Sequence, residues 1–318
     1  MSDRLHEAVR AAFPGRVVDA IEKQSTRPGN ETGLVTFTDA EPVYIKTATD
    51  TDRRLVRETA ATRYAGSHCP IGTPTVVAAD PYAESPYLTT EPLAGEILND
   101  QWVADDDRTQ LLKQTGRILA GVHEPQFDDS GVITGGDEDG LELTTGTWGD
   151  VLSATIEWRA TDWFPDRFDD LPQRVIMTIR EIKPELNGVT PTLLHTDCSR
   201  TNVHLSPNGL LDWERSVVGD PALDLVNTTG SFVDQPDVEA EDQAELTDAL
   251  YAGYRQQAGE LPEGMSRRRP LYWVIWYLLT PQTFDVWAPS VDVPNDELAA
   301  EVREEFDSRL SRARDMAS

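Results

Sequence analysis

The sequence predicts an α+β fold with two lobes, a small β-rich N-terminal lobe over residues 1–94 and a larger, mainly helical C-terminal lobe over residues 95–318. The length of 318 residues is enough for about two domains with sizeable cores. Apolar residues alternate in strand fashion early in the chain, whereas beyond Gly95 they recur at helical spacing. This change of periodicity separates the two predicted lobes.

The N-terminal lobe is predicted to combine helices with strands. Alternation predicts strands, and apolar residues three and four apart predict helices. The predicted elements are a helix at 4–13, strands at 33–38 and 43–47 around a turn at 39–42, a helix at 53–64, and strands at 75–78 and 87–90. A connector at 91–95 leads into the second lobe.

The C-terminal lobe is predicted to be built on helices. One apolar face spans residues 111–122 and follows the acidic residues 105–107, which suit the positive end of a helix dipole. Further helical faces lie at 175–182 and 246–254. The aromatic-rich stretch 271–279 is predicted to be a buried helix.

Charge restricts the partners of the chain. There are 28 basic and 56 acidic residues, and the formal net charge is −28. Such a field repels phosphate backbones, so nucleic-acid binding is disfavoured. The acidity favours either a cationic substrate or, more simply, a halophilic host; the scarcity of lysine, only four residues against many arginines, supports the second interpretation.

Targeting and redox signals are weak. Two cysteines cannot build a disulfide framework, and no C-x-x-C pair indicates zinc. The N-terminus lacks the basic and apolar regions of a signal peptide. The most apolar stretch, 271–280, is too short to span a bilayer. We therefore expect a soluble cytoplasmic protein, of a subunit number that the sequence does not indicate.

Residues 192–225 carry the densest polar pattern, T-L-L-H-T-D-C-S-R-T-N-V-H-L-S-P-N-G-L-L-D-W-E-R-S-V-V-G-D-P-A-L-D-L. A buried strand at 192–194 is predicted to deliver His195 and Asp197 onto a loop. Strands at 203–205 and 210–212 flank S-P-N-G, in which Asn-Gly is a strong hairpin signal. A loop at 206–209 would place Leu205 opposite Leu210 and Val203 opposite Asp212, which brings Asn202 close to Asp212.

This hairpin suggests a phosphate-transfer site. The amide oxygen of Asn202 and the carboxylate of Asp212 are hard oxygen ligands that suit Mg²⁺ and leave room for phosphate oxygens. Asp197, on the loop that enters the same site, could accept the proton of an attacking hydroxyl group. Positioning and charge stabilisation would supply the rest of the catalysis.

The motif resembles that of a known family. His195-Thr196-Asp197 followed by Asn202 matches the kinase catalytic loop H-x-D-x₄-N, and Asp212 stands at the metal-binding aspartate of D-F-G. The continuation D-W-E…G-D-P-A-L-D-L resembles the aminoglycoside phosphotransferase family, with its choline- and homoserine-kinase relatives. The resemblance implies a bilobal protein-kinase-like fold, Mg²⁺ with ATP or GTP, Asp197 as base, and Asn202 and Asp212 as metal ligands.

Two residues of the first lobe fit the same resemblance. Lys46 ends an apolar strand, as the phosphate-binding lysine of a kinase does. Glu58, on the following helix, is its expected ion-pair partner. The alternative is a solvated lysine at a strand end.

The nucleotide contacts are indicated less strongly. Gly29 and Asn30 precede the first strand and resemble the loop that covers the nucleotide, although a plain turn explains them equally well. The segment 87–96 resembles the connector between lobes, which implies that the backbones of Glu91 and Leu93 contact the adenine. An ordinary exit from a strand is the alternative there.

Several residues depart from the family pattern or have simpler explanations. Thr196 replaces a glycine, and residues 198–201 lack a histidine that is common in the family, so rate and acceptor choice are open. Arg200 could stabilise phosphate, but a surface ion pair is favoured. Structural roles are favoured for a further group of residues, namely His123, His195, Cys198, Asp220 and Asp224.

Three functions remain open. A phosphotransferase acting on a small hydroxylated molecule is favoured over a protein kinase, because only residues 213–220 separate Asp212 from Pro221, too few for a peptide-docking segment. A nucleotide-binding protein without catalysis is the third. Aminoglycoside, choline-like, sugar and amino-alcohol acceptors are not distinguished. The acids at 234–242 could bind an amine, but a solvated face is favoured.

Overall fold

A computed structural model describes residues 4–24, 30–48, 54–104, 107–160 and 164–317. The helices are α1 (Arg4–Ala12), α2 (Arg54–His68), α3 (Leu98–Val103), α4 (Arg108–Val122), α5 (Trp148–Ala160), α6 (Leu171–Glu181), α7 (Pro221–Phe232), α8 (Gln243–Ala258), α9 (Met265–Tyr277), α10 (Leu279–Gln282), α11 (Phe284–Trp287) and α12 (Asn295–Arg314). The fold is therefore α+β, with a β-rich first part and a mainly helical second part.

The strands form three sheets. They are β1 (Val18–Lys23), β2 (Asn30–Phe37), β3 (Val43–Ala48), β4 (Val76–Asp80), β5 (Tyr87–Thr90), β6 (Glu96–Ile97), β7 (Ser130–Gly136), β8 (Leu141–Gly146), β9 (Thr192–Leu194), β10 (Val203–Leu205), β11 (Gly209–Leu210) and β12 (Val217–Gly219). Their orders are β1-β2-β3-β5-β4, β11-β10-β6 and β8-β7-β12-β9.

The five-stranded sheet is antiparallel and places β3 at its centre. Lys46 on β3 lies opposite Thr32 of β2 and Leu88 of β5. Helix α1 covers one face, where Leu5 packs with Val35 of the sheet in one apolar cluster. The strand that carries Lys46 is thus held on both sides.

Some elements of the fold were not predicted from the sequence. Strand β1, the β7–β8 hairpin, and helices α5 and α12 carry no prediction, and β2 begins earlier than expected, at Asn30. The sequence of β1, V-D-A-I-E-K, contains residues that are common in helices, and pairing with β2 makes it a strand. The expected helix start at Arg53 and the acidic residues Asp105 and Asp106 lie outside the described residues.

The main core of the helical part depends on a close crossing of α4 and α8. A Cβ atom on Gly116 would lie 2.1 Å from the carbonyl oxygen of Leu250, and one on Gly253 would lie 2.0 Å from that of Lys113. These neighbouring atoms belong to the backbone, which cannot move aside as a flexible side chain can. Only glycine therefore allows the two helices to come this close. Within the described residues, no helix is both long and apolar enough to cross a membrane.

We expect Gly253→Ala to lower the free energy of unfolding by about 1–3 kcal/mol, because the added methyl group forces the two helices apart. Urea denaturation followed by circular dichroism measures this. Gly140→Ala is the matched control, since a Cβ atom there meets no atom within 4 Å. Equal stability of the two variants would show that the crossing tolerates a methyl group.

Candidate functional site

Three elements bring charged side chains together beside the five-stranded sheet. The Nζ atom of Lys46 on β3 lies 2.8 Å from a carboxylate oxygen of Glu58 on α2. It lies 2.9 Å from Asp212 and 2.7 Å from Glu214, which belong to the segment after β11. The Lys46–Glu58 contact has the geometry that the sequence predicts, and its role in holding a nucleotide stays a prediction.

The cluster holds more negative than positive charge. Burial disfavours the ammonium of Lys46, but the three carboxylates outweigh burial and raise its pKa well above the usual value. Burial raises the pKa of Glu58 to about 8, because the attraction of Lys46 is opposed by Asp212 and Glu214. For Asp212 burial also opposes the charged form, yet Lys46 holds its pKa below the usual range.

The register predicted for the hairpin was wrong by two residues. Val203 lies opposite Leu210, not Asp212, and His204 lies opposite Gly209. Gly209 belongs to the strand because Gly72 approaches it from the other side, where a Cβ atom on Gly209 would lie 2.8 Å from the carbonyl oxygen of Gly72. The loop therefore falls one residue earlier than expected.

The observed register still brings the two predicted metal ligands to one place. The N–H of Leu211 donates to the carbonyl oxygen of Asn202 (2.9 Å), so Asp212 is the next residue along. Asp212 has a left-handed backbone (φ 64°), which aspartate adopts more readily than most residues. The Asn202 side-chain amide donates to the carbonyl oxygen of Asp197 (2.9 Å), and this orientation leaves its Oδ1 for a cation.

These oxygens fit a hard divalent cation. Carboxylate oxygens of Glu58, Asp212 and Glu214 lie within 4.8 Å of one another. Together with the amide oxygen of Asn202 they form an oxygen-rich donor set, which suits Mg²⁺. The identity of the metal and the roles of Asn202 and Asp212 as ligands stay predictions.

The loop that carries Asp197 is braced from behind. Asp224 on α7 accepts the backbone N–H groups of His195 and Thr196, both at 2.7 Å. The ring of His195 donates through Nε2 to the carbonyl oxygen of Leu211 (2.8 Å) and accepts the N–H of Asp197 at Nδ1 (3.3 Å). His195 thus links the loop to the hairpin and is fully buried.

Thr196 explains how the loop tolerates the absence of glycine. Its backbone is left-handed (φ 60°), which is unfavourable for a β-branched residue. Its hydroxyl donates to the carbonyl oxygen of Arg215 (2.8 Å) and accepts from Arg159 (2.6 Å). Two hydrogen bonds therefore hold the strained residue in place.

This loop contributes residues to two cavities. A large cleft of about 610 Å³ is lined by residues that include Lys46, Glu58, Asn202, Asp212 and Glu214. A small pocket of about 60 Å³ is lined by another set, Ile156, Arg159, Phe164, Thr196, Asp197, Arg215, Asn227, Ser231, Ile275, Trp276, Leu278, Leu279 and Gln282. The two sets share no residue, and Asp197 lines the small pocket.

The predicted nucleotide contacts fall partly in the large cleft. Glu91 and Leu93 line it. The backbone N–H of Glu91 donates to the carbonyl oxygen of Thr75 (2.9 Å) and is therefore occupied. If Glu91 contacts the adenine, it must do so through its own carbonyl oxygen. Asn30 pairs with Ala48 as the first residue of β2, and Gly29 lies outside the described residues.

The residues for which the sequence favours structural roles are buried or contact other side chains. Burial raises the pKa of the Cys198 thiol, which makes it a poor nucleophile. His123 contacts Tyr254 and Asp224. Arg200 forms an ion pair with Asp237 (2.6 Å), lies 4.1 Å from the ring centre of Trp102, and lines neither cavity.

Sequence reasoning missed several residues of the site. Glu214 was quoted within the D-W-E motif without a role, although a buried acid two residues after a metal ligand was a usable signal. Arg159, Asn227 and Arg215 were not singled out, because they come from separate parts of the chain that only the fold brings together. Trp276 was included in the predicted buried helix at 271–279 but was given no role in the site.

The model of the phosphotransferase enzyme family matches residues 30–271, which is more than half of the chain. No curated protein sequence matches.

Solved structures share the fold. A candidate fructosamine-3-kinase from Thermobifida fusca YX-ER1 is 17% identical with a TM-score of 0.60, covering 96% of this chain and 97% of that one. ADP-bound aminoglycoside phosphotransferase APH(2″)-Ib is 16% identical with a TM-score of 0.60, covering 98% and 99%. An APH(2″) protein in complex with GDP and kanamycin is 14% identical with a TM-score of 0.59, also covering 98% and 99%. The fold is thus the bilobal protein-kinase-like one.

We expect the stability of the metal-free protein to fall, relative to that of Glu58→Gln, as the pH rises from 5.5 to 9. The pKa of Glu58 is about 8 in the folded protein and near 4.5 when unfolded, so folding retains a proton over this interval. That contribution is present at low pH and lost as pH passes the folded pKa. Thermal unfolding of both proteins in EDTA measures it; a constant difference in Tm across the range would contradict it.

Proposed function

Because the chain belongs to the phosphotransferase enzyme family, we propose that it transfers the γ-phosphate of Mg²⁺-bound ATP or GTP to a hydroxyl group of a small molecule. One observation carries this proposal. The loop at 195–202 lines a large, oxygen-rich cleft through Asn202 and a small pocket through Asp197. Donor and acceptor would thus meet beside this loop.

The large cleft is suited to the nucleotide. Structural neighbours are complexes with ADP and with GDP, which supports nucleotide binding at the equivalent cleft and leaves the choice of base open. Lys46 is positioned to contact phosphate oxygens, since Glu58 and Glu214 hold its ammonium group from two sides. Once phosphates arrive, they supply further negative charge, which a divalent cation must balance.

Asn202 and Asp212 would hold Mg²⁺ in this cleft, with Glu214 close by. Mg²⁺ supplies neutralisation of the charge that develops on the phosphate oxygens during transfer. The protein contributes alignment: the hydrogen bond from Asn202 to the backbone of Asp197 fixes the metal-binding side chain relative to the loop. This hydrogen bond would keep the metal-bound phosphates at a fixed distance from the Asp197 loop, where the acceptor binds.

Asp197 would act on the acceptor. Its carboxylate accepts the proton of the attacking hydroxyl group while that oxygen approaches the γ-phosphorus. Arg215 lies 3.7 Å from the Asp197 carboxylate, and both side chains are only 15% exposed. This contact holds the carboxylate in place at the wall of the pocket.

A small acceptor fits better than a protein substrate. Helix α7 begins at Pro221, with only eight residues between it and Asp212, and its cap residue Asp220 is held by Arg268 and Tyr272. The segment therefore leaves no platform for a peptide chain. A non-catalytic nucleotide-binding protein is the second candidate, and the retained Lys46, Asp197 and Asp212 argue against it.

The test uses Mg²⁺ with labelled ATP or GTP and a panel of small hydroxylated acceptors. We expect Asp197→Asn to lower kcat by about 10²- to 10⁴-fold, because the base is lost while nucleotide binding persists. Radiolabel transfer measures kcat, and calorimetry measures nucleotide affinity. Asp237→Asn is the control, since Asp237 lines neither cavity. Nucleotide binding without Asp197-dependent transfer to any acceptor would favour the non-catalytic alternative.

A further inference from the structure

The small pocket differs in charge from the rest of the molecule. The chain carries twice as many acidic as basic residues. Yet among the described residues that line the pocket, Asp197 is the one acid, and it is accompanied by two arginines, Arg159 and Arg215. The wall of the pocket around Asp197 is therefore positive. An acceptor with several ammonium groups would meet like charge there.

Three buried polar atoms in the pocket have no hydrogen-bond partner among the described residues. Two are donors, Nε of Arg159 and the indole N–H of Trp276, and the third is an acceptor, Oδ1 of Asn227. All three residues line the pocket. Since buried polar groups are normally satisfied, such a set indicates a polar ligand with complementary groups.

The charge on Arg159 lacks a full counter-charge. Burial, together with the nearby positive charge of Arg215, lowers the pKa of the Arg159 guanidinium to about 9. Asp197 acts in the opposite direction but does not restore the usual value. A bound anion would complete the balance.

We propose that the acceptor is a short hydroxy acid, whose carboxylate accepts hydrogen bonds from Arg159 and Trp276 and whose hydroxyl group lies at Asp197. The inference rests on the proposed function and names its substrate class. Two donors suit the two oxygens of a carboxylate, and Asn227 can accept from a second hydroxyl group. The small pocket, of about 60 Å³, suits a chain of a few carbons better than a multi-ring aminoglycoside.

The transfer moves one phosphoryl group from the nucleotide to the acid. Asp197 takes the hydroxyl proton, the freed oxygen forms a bond to the γ-phosphorus, and the bond between that phosphorus and the β–γ bridging oxygen breaks. The nucleoside diphosphate leaves with the electron pair of that bond. The products are a phosphorylated acid, a nucleoside diphosphate and one proton.

The experiment compares matched acid and alcohol acceptors. Glycerate is paired with glycerol and gluconate with glucose, and kanamycin serves as the cationic acceptor, with Mg²⁺ and ATP or GTP. We expect kcat/KM for glycerate to exceed that for glycerol by at least about 10-fold. Preference for kanamycin or for the neutral alcohols would overturn the inference and leave the proposed phosphotransferase activity standing.

Variants assign the effect to the pocket. Arg159→Gln should raise KM for glycerate about 10- to 100-fold and change KM for glycerol little, as expected for loss of one charged hydrogen bond. Asn227→Asp is nearly isosteric and should weaken the binding of glycerate, because the new carboxylate repels the carboxylate of the ligand. This variant keeps the test decisive if Arg159→Gln folds poorly. Arg312→Gln on α12 is the control, because Arg312 is exposed and does not line the pocket. An equal fall of kcat on every acceptor would assign Arg159 to the phosphoryl group instead.

Binding is measured apart from turnover. Calorimetry of glycerate and glycerol with wild type and Arg159→Gln decides whether the pocket prefers the acid. If Asp197-dependent transfer to every acceptor fails, the proposed function is wrong, and selective glycerate binding that Arg159→Gln weakens still supports an anion pocket. Equal affinity for acid and alcohol overturns it.

Discussion

The site depends on one ammonium group that faces three carboxylates. Lys46 comes from the central strand of the five-stranded sheet, Glu58 from α2, and Asp212 and Glu214 from the segment that follows the β10–β11 hairpin. Removing the ammonium group of Lys46 from such a buried cluster would leave the carboxylates uncompensated, which is strongly unfavourable. The cluster therefore ties sheet, helix and hairpin together, and its surplus negative charge is the physical reason that it suits a divalent cation.

The sequence predicted the parts of the site in which a polar residue interrupts an apolar element. Lys46 and Glu58 were recognisable in this way, as were Asp197, Asn202 and Asp212 in their motif. The hairpin register was not, because it depends on Gly72, more than 130 residues away, which pairs with β11 from the outside. Local turn signals specify that a hairpin forms, whereas its neighbours decide which residues face each other.

The small pocket shows a second limit of sequence reasoning. Its walls come from α5, α7, α9 and the catalytic loop, and no periodicity or motif joins these segments in advance. Composition gave no guide to it either, since a solvated face was favoured for the acids at 234–242 and a cationic substrate was the less favoured interpretation of the net charge. In the structure Asp237 forms an ion pair with Arg200 and Asp234 with Arg309, and both acids stay partly exposed. Net charge describes the surface, and a buried wall can carry the opposite sign.

The loop at 195–202 contributes to both cavities, through Asn202 to the large cleft and through Asp197 to the small pocket. The hydrogen bond from the Asn202 amide to the carbonyl oxygen of Asp197 links the two sides directly. A displacement of Asn202 in the cleft would therefore move Asp197 in the pocket as well.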